Sequence, residues 1–418
     1  MEIYLIIILC SYILIVLFGY WLKSLNLHHL KRYGGDIPPG FEGGIDAGLL
    51  KKTRDYTIEH SRFGFVESIF NNLFLLIFLF GGLLNIYNSW ILSLNLPFIL
   101  SGIAFFLILG YADIIFSIPF DLYTIFKIEN KYSFNTVTPW LWITDLLKSL
   151  LLFTILMSII ISIGFWLIQV NPNYWWLWVW GFFLIFSLFM MYISPYIIEP
   201  IFNKFTPIDE KDLEDKIKGL MQKIGIKVNR IFRMDASKRS KHTNAYFTSI
   251  GKVKRIILYD TLLEKMGGNE ILAVLAHEAG HWKKRHLLKV IFVSEIIGLV
   301  VIYITFRIIQ TDILTDIFHI ESPTIFAKLI ILAFIGGIVS FPFTPIGSYL
   351  SRRFEREADR FACELTEKPE DMISAIIKLS KDNFSNLHPH PWYASFYYSH
   401  PPAVKRIREI LSFKIGLT

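Results

Sequence analysis

The chain has 418 residues, of which 53% are hydrophobic and 18% are charged. Soluble proteins carry about 25% charged residues, so this chain has too little polar surface to cover several soluble domains, and it must reside in a membrane. The composition excludes a disordered chain, a collagen-like fibre and a disulfide scaffold. A net charge of +7 is typical of basic cytoplasmic loops rather than of a nucleic-acid surface, and we expect no nucleic-acid partner.

Apolar segments long enough to span a membrane, about 20 residues each, recur along the chain. We predict seven: residues 3–22, 66–90, 97–118, 147–169, 174–198, 289–309 and 325–350. The first segment has no basic residue before its apolar run and no clear cleavage site, which favours a retained anchor over a signal peptide. The predicted fold class is an all-α, multi-pass integral membrane protein.

The loops between these segments alternate in charge. Lys and Arg occur in the loops 23–65, 119–146 and 199–288 and in the tail after 350, and are absent from 91–96, 170–173 and 310–324. By the positive-inside rule, the N-terminus lies outside and the C-terminus in the cytoplasm. We therefore divide the chain into five membrane helices (1–198), a cytoplasmic region (199–288), two membrane helices (289–350) and a second cytoplasmic region (351–418).

The first cytoplasmic region contains a His-Glu-x-x-His motif. Residues 270–283 contain no helix-breaking residue except Gly280, and Asn269 is the expected N-cap. His277 and His281 are four residues apart, so their imidazoles project from one helix face at the spacing that two zinc ligands need. Glu278 lies beside the metal, where it can accept a proton from water.

A catalytic zinc usually has a third protein ligand, and two glutamates of the second cytoplasmic region are candidates for it. The helical stripe around Phe354 places Glu355 and Asp359 together at its edge, whereas Glu357 lies on the other side of the stripe. Glu355 is the preferred ligand and Glu357 the alternative. Asp359 can accept a hydrogen bond from a ligating imidazole.

Two further features have both a functional and a structural interpretation. His400 and Arg406 can stabilise an anionic intermediate, or they can belong to a surface turn that precedes a basic helix. Residues 230–234, 243–250 and 255–259 are β-prone, with a turn at Gly251-Lys252. Asn244 to Phe247, which include Ala245 and Tyr246, are the expected edge strand for an extended peptide. Alternatively, this sheet only supports the zinc helix.

These residues resemble the CAAX prenyl protease 1 family of membrane zinc metalloendopeptidases. The resemblance covers most of the chain. It is carried by Lys52–Phe63, Phe120–Asn135, Asn244–Phe247, His277–Trp282, Phe354–Asp359 and Ser399–Pro402. The combination is far more specific than His-Glu-x-x-His alone.

The resemblance implies seven membrane helices around an intramembrane chamber, with one Zn²⁺ on its cytosolic side and a small β-sheet in the protease region. It implies His277, His281 and Glu355 as ligands and Glu278 as general base. It also implies Asp359 behind the ligands, His400 and Arg406 at the oxyanion, and Asn244, Ala245 and Tyr246 at the substrate backbone. The resemblance further implies an enzyme that works among membrane lipids on a peptide or protein substrate, with or without a lipidated C-terminus.

The tail carries no ER-retrieval signal and the loop 310–324 is short, which favours a prokaryotic member in a cytoplasmic membrane over a eukaryotic member in the ER. Prokaryotes generally lack protein prenylation, so a quality-control protease for membrane proteins is the alternative to CaaX processing. A seven-helix transporter and a scaffold with an inactive site are the remaining alternatives. Both are disfavoured because the distinctive polar residues lie outside the spans and the complete motif is present.

Overall fold

The computed structural model describes residues 2–248 and 253–416. The helices are α1 (Glu2–Tyr33), α2 (Ala47–Phe80), α3 (Leu83–Ser93), α4 (Phe98–Tyr123), α5 (Pro139–Val170), α6 (Trp175–Ile193), α7 (Glu199–Phe202), α8 (Lys211–Lys223), α9 (Asp260–Lys265), α10 (Gly268–Lys283), α11 (His286–Ile309), α12 (Ile313–Ile317), α13 (Ile325–Ser340), α14 (Thr344–Thr366), α15 (Pro369–Asp382), α16 (Pro391–Tyr397) and α17 (Ala403–Gly416). The strands are β1 (Phe205–Pro207), β2 (Lys227–Met234), β3 (Ala245–Thr248) and β4 (Val253–Tyr259).

The prediction of seven membrane helices is confirmed for the described residues. The spans are 2–33, 47–80, 98–129, 139–170, 175–202, 286–309 and 325–366. Several extend beyond the predicted apolar runs because their polar ends are also helical. Two starts are fixed by capping side chains that accept a backbone hydrogen bond: Asp46 from Leu49 N (2.8 Å) and Thr138 from Leu141 N (3.2 Å).

The prediction for the second span, residues 66–90, was wrong at both ends. Helix α2 begins at Ala47 and ends at Phe80, and residues 83–93 form the separate helix α3. The break falls at Gly81-Gly82, where Gly82 has a φ of 81°, a left-handed conformation that favours glycine. Hydropathy alone cannot detect this break, because apolar residues continue on both sides of the glycines.

The small sheet contains the three predicted strands and one that was not predicted, β1. Strands β2 and β4 begin earlier than predicted, at Lys227 and Val253, and β3 begins later, at Ala245. The strand order is β1-β2-β4-β3, so β3 lies at one edge. Strand β3 pairs antiparallel with β4, with Ala245 opposite Leu258 and Tyr246 opposite Ile257. The predicted turn at Gly251-Lys252 lies outside the described residues.

Two main hydrophobic cores correspond to the two parts of the molecule. One is formed between membrane helices and includes Leu84, Phe105 and Phe165. The other surrounds α10 and includes Leu275, together with Phe41 and Ile45 from the segment that joins α1 to α2 and Leu50 from the start of α2. The joining segment is therefore packed against the core around α10, and it connects the first two membrane helices to that core.

Candidate metal centre and active site

Helix α10 holds the His-Glu-x-x-His motif. It begins two residues earlier than predicted: Gly267, not Asn269, is the N-cap. The reason is Glu270, whose Oε2 accepts a hydrogen bond from Gly267 N (2.8 Å) and so satisfies a free amide at the helix start. The predicted projection of both imidazoles from one face is present, since His277 Nε2 and His281 Nε2 are 3.2 Å apart.

The two imidazoles meet the carboxylate of Glu355 on α14. His277 Nε2 lies 3.3 Å from Glu355 Oε2, and His281 Nε2 lies 3.3 Å from Glu355 Oε1. Donor atoms bound to one tetrahedral metal at 2.0–2.1 Å are themselves about 3.3 Å apart. Glu355 Oε2 is buried and has no hydrogen bond of regular geometry within the described structure. The chemistry and spacing of these three donors therefore fit a metal ion.

Gly280 allows α14 to come this close to α10. A Cβ atom at this position would lie 3.0 Å from the Cα of Ala358 and 3.2 Å from its carbonyl oxygen. Contacts of this length to backbone atoms are tighter than ordinary van der Waals contact, so a side chain at this position would push α14 away from α10. The glycine inside the motif therefore has a packing role, which sequence spacing did not indicate, and it brings Glu355 within reach of both histidines.

Asp359 lies behind His277, as predicted. Its Oδ1 is 2.8 Å from His277 Nδ1. Arg406 on α17 donates two hydrogen bonds to the same carboxylate, from Nε (2.8 Å) and Nη2 (2.6 Å). Asp359 is buried and Arg406 is half-buried. Asp359 is thus held from both sides, which fixes the orientation of the His277 ring.

His281 has an equivalent support that the sequence analysis missed. Its Nδ1 lies 3.1 Å from His286 Nδ1, and His286 Nε2 lies 3.1 Å from Glu357 Oε2. When His286 Nε2 donates to Glu357, its Nδ1 accepts a hydrogen bond from the Nδ1–H of His281. This tautomer leaves the lone pair of His281 Nε2 free to bind a metal. Glu357, the alternative ligand, therefore lies outside the three-residue cluster. No sequence spacing indicates this contact, because it depends on how α11 meets α14.

Glu278 and His400 flank the cluster. Glu278 is half-buried, and burial raises the pKa of its carboxyl above the ordinary value of 4.5. His400 is exposed, with Nδ1 2.8 Å from Glu355 Oε2. A cavity of about 500 Å³ beside the cluster is lined by His400, Arg406 and Asn244, among others. Residues from the segments 199–288 and 351–418 therefore meet at one opening.

Strand β3 reaches the same cavity with its N-terminal end. Tyr259 N donates to Asn244 O (3.2 Å), so the alternation of an antiparallel ladder points the backbone groups of Ala245 and Phe247 toward the open edge. The Tyr246 hydroxyl is not at this edge: it donates to Glu199 Oε2 (2.7 Å). The predicted edge strand is thus present, and its backbone rather than the Tyr246 side chain faces the open edge. The Ala245 amide at this edge donates to Asn244 Oδ1 (2.8 Å).

Asn383, at the end of α15, was also missed by the sequence analysis. Its Oδ1 accepts from Thr243 N (3.1 Å) and lies 3.0 Å from His242 Nδ1, while its Nδ2 donates to Thr243 O (3.4 Å). One side chain therefore holds both backbone groups of the residue that precedes Asn244. This fixes the start of β3 against the C-terminal region.

Known proteins of similar sequence support the assignment of a metal centre to His277, His281 and Glu355. The N-terminal region of CAAX prenyl proteases, with five membrane helices, matches residues 26–204, and peptidase family M48 matches residues 207–414. A CAAX prenyl protease 1 homolog of Oryza sativa subsp. japonica is 32% identical over 97% of this chain and 96% of its own length. CAAX prenyl protease 1 of Saccharomyces cerevisiae is 30% identical over 89% of this chain and 87% of its own.

A solved structure agrees with these relatives. The crystal structure of Ste24p from S. mikatae matches with a TM-score of 0.90 at 28% identity, covering 97% of this chain and 98% of that chain. Fold and site together define an integral-membrane metalloprotease. The chain belongs to the CAAX prenyl protease 1 family, within peptidase family M48.

Proposed function

We propose that this metalloprotease is a zinc endopeptidase that removes the last three residues of a protein after a prenylated cysteine. The observation that carries the chemistry is the set of His277, His281 and Glu355 donors, 3.2–3.3 Å apart. The cleavage position is supported by the relatives named CAAX prenyl protease 1, which align over most of this chain.

Zinc is the proposed metal because a His₂Glu set with one open position suits it best. When bound, zinc would act as a Lewis acid that polarises the scissile carbonyl. It would also lower the pKa of water to about 7, so that water can lose a proton at neutral pH. Asp359 and His286 orient the two imidazoles, one behind each ring. We expect one Zn²⁺ per chain.

Glu278 is the proposed general base and acid. It takes a proton from the attacking water, whose oxygen bonds to the scissile carbon, and delivers that proton to the leaving amine as the C–N bond breaks. Burial raises the pKa of its carboxyl, which makes it a stronger base than an exposed glutamate. His400 and Arg406 line the same cavity and are proposed to donate to the oxyanion.

The edge of β3 is the proposed substrate backbone site. Ala245 and Phe247 direct backbone groups outward, so an extended peptide can add to the sheet as a further strand. Asn244 lies at the cavity end of this strand. The alternation of basic loops supports a cytoplasmic location for the site, in the cytoplasmic membrane of a prokaryote or the ER membrane of a eukaryote.

The test uses purified full-length protein in detergent and two peptides that end in a CaaX sequence and differ only in a farnesyl group on the cysteine. Mass spectrometry locates the cut, and metal analysis counts zinc. We expect cleavage after the farnesylated cysteine only, with no cleavage by Glu278→Gln at equal zinc content. Cleavage of both peptides would replace prenyl selectivity with a general membrane-protein protease. Cleavage of neither by zinc-loaded protein would overturn the C-terminal specificity.

A further inference from the structure

A second cavity, of about 800 Å³, lies apart from the metal centre. One face of α2, from Gly48 to Val66, forms one wall, and Tyr123, Lys131 and Tyr132 form the other. The volume is in the range of small-molecule sites. The N-terminal end of α2 packs into the protease core through Leu50, so this cavity lies at the end of the helix bundle that carries the protease region.

The carboxylates in this cavity are already paired. Glu59 accepts from Lys131 (2.6 Å) and from the Tyr132 hydroxyl (2.9 Å). Asp55 contacts Arg54 at 3.2 Å. These contacts offset the negative charge of Asp55 and Glu59, so the two carboxylates repel an anionic ligand only weakly.

Three cations in the same cavity are not neutralised. Lys51, Lys52 and Arg62 line it and are exposed. Across residues 2–248 and 253–416, none of the three forms an ion pair with a carboxylate. Lys52 only approaches the ring of Phe384, 5.1 Å from its centroid. The cavity therefore has an excess of positive charge that favours an anion.

The other end of the cavity is apolar. Phe63 stacks on Tyr123 with centroids 4.3 Å apart, and Val66 is 57% exposed. Lys51 and Arg62 are separated by about 16 Å along the helix axis, and Val66 lies one turn beyond Arg62. Beyond Val66, α2 continues as an apolar membrane helix. The cavity thus changes from cationic to apolar in the direction that leads into the bilayer.

We infer that this cavity binds a membrane glycerophospholipid with an anionic headgroup. The anionic headgroup lies along the stretch of α2 that carries Lys51, Lys52 and Arg62, and an acyl chain runs along Val66 and Tyr123. A soluble phosphate compound matches the cations but leaves the apolar end unoccupied. A zwitterionic lipid matches the apolar end but brings no net charge to the cations. Only an anionic amphiphile matches both ends in the observed order.

The test measures lipid binding to delipidated full-length protein by native mass spectrometry. The probes are dioleoyl phosphatidylglycerol, dioleoyl phosphatidylcholine and glycerol 3-phosphate. We expect selective binding of phosphatidylglycerol. The triple variant Lys51→Gln/Lys52→Gln/Arg62→Gln should weaken it about 100-fold, from the attraction that each cation adds. A matched control, Lys211→Gln/Lys227→Gln/Lys238→Gln, removes three exposed cations elsewhere and should bind as the original protein does.

A second variant keeps the test decisive where the triple variant does not fold. Val66→Trp changes no charge and fills the apolar end from an exposed position; it should weaken phosphatidylglycerol binding while leaving glycerol 3-phosphate unaffected. Equal binding of phosphatidylglycerol and phosphatidylcholine would overturn the inference. So would glycerol 3-phosphate binding as tightly as the lipid, which would indicate a site for a free anion. Both readouts are independent of proteolysis.

Discussion

The membrane helices and the protease region handle polar and apolar groups in opposite ways. On the membrane helices large apolar side chains face outward: Leu151 is 63% exposed and Phe292 is 67% exposed. In the protease region, by contrast, His277, Glu355 and Asp359 are buried, and each contacts a specific partner. The bilayer stabilises the exposed apolar side chains of the membrane helices whatever their exact packing. The buried polar side chains of the protease region depend on individual contacts.

The close contacts in the two regions also differ. Between membrane helices, small residues admit aromatic rings: a Cβ at Gly102 would lie 2.3 Å from the ring of Phe165. Between α10 and α14, Gly280 admits the backbone of Ala358 instead. An aromatic side chain can change its rotamer to accommodate an added Cβ atom, whereas a helix backbone can do so only if the whole helix moves. We therefore expect substitutions in the protease region to have larger and more specific effects than those on exposed membrane-helix positions.

The largest expected effect is that of Glu355→Gln. Loss of a charged ligand should reduce peptide cleavage at least about 1,000-fold and lower the zinc content. The matched control is Glu364→Gln on the same helix, where the carboxylate forms only an exposed ion pair with Arg360. Cleavage rate and metal content are measured together. Retention of zinc and activity by Glu355→Gln would contradict the ligand assignment.

A pair of leucine truncations tests the comparison itself. Leu275 on α10 is fully buried and Leu151 on α5 is 63% exposed. Leu275→Ala should cost about 2–5 kcal/mol because it leaves a cavity, whereas Leu151→Ala should cost less than about 1 kcal/mol. Unfolding in detergent and in lipid nanodiscs measures both. Equal losses would show that the membrane helices rely on specific packing as much as the protease core does.

The support behind His281 is tested by His286→Phe. Phenylalanine keeps the ring that stacks on Phe354, 4.3 Å away, but removes the contact with His281 Nδ1. Zinc affinity should fall about 10–100-fold, as for other groups behind a metal ligand, with the fold intact. The control is His28→Phe on α1, an exposed position. Competition with a chelator gives the affinity, and an unchanged value would remove His286 from the site.

The start of α10 should contribute to the free energy of unfolding in a pH-dependent way. Burial opposes ionisation of Glu270, but Lys378, Ser374 and the Gly267 amide outweigh it and lower its pKa below the ordinary 4.5. Its stabilisation is therefore present above pH 4.5 and is lost as the pH falls through the lower, folded-state pKa.

Glu270→Gln should accordingly cost about 1–3 kcal/mol at pH 7, and the difference from the original protein should shrink on acidification. Glu264→Gln, at an exposed position, is the control. A thermal unfolding series across pH checks this, and a difference that grows toward low pH would contradict the pairing.

The smallest effect is expected for Asn383→Ala. This change releases the backbone of Thr243, which precedes the proposed substrate strand, without touching the proposed metal ligands. KM for the peptide should rise about 10-fold, the equivalent of one or two hydrogen bonds, while kcat changes little. Asn130→Ala, at an exposed position, should leave both constants unchanged. A fall in kcat with unchanged KM would assign Asn383 to a different step.

The order of membrane helices and the identity of the metal cluster could be read from the sequence. Long apolar runs mark spans because the bilayer requires them, and His277 and His281 are four residues apart because one helix face must carry both. The sequence also favoured Glu355 over Glu357 as the third ligand, because Glu355 lies beside Asp359 at the edge of the apolar stripe of α14 and Glu357 lies on its other side. These features depend on local periodicity or on composition, which a sequence displays directly.

Contacts between distant segments were decided only by the tertiary structure. The break at Gly82 separates two apolar runs of equal hydropathy, and Glu270 moves the start of α10 away from Asn269 by bonding back to Gly267. His286 and Asn383 act through residues 71 and 140 positions away, respectively. No local pattern encodes such pairs, because their proximity arises from the packing of whole helices, which depends on the entire chain at once.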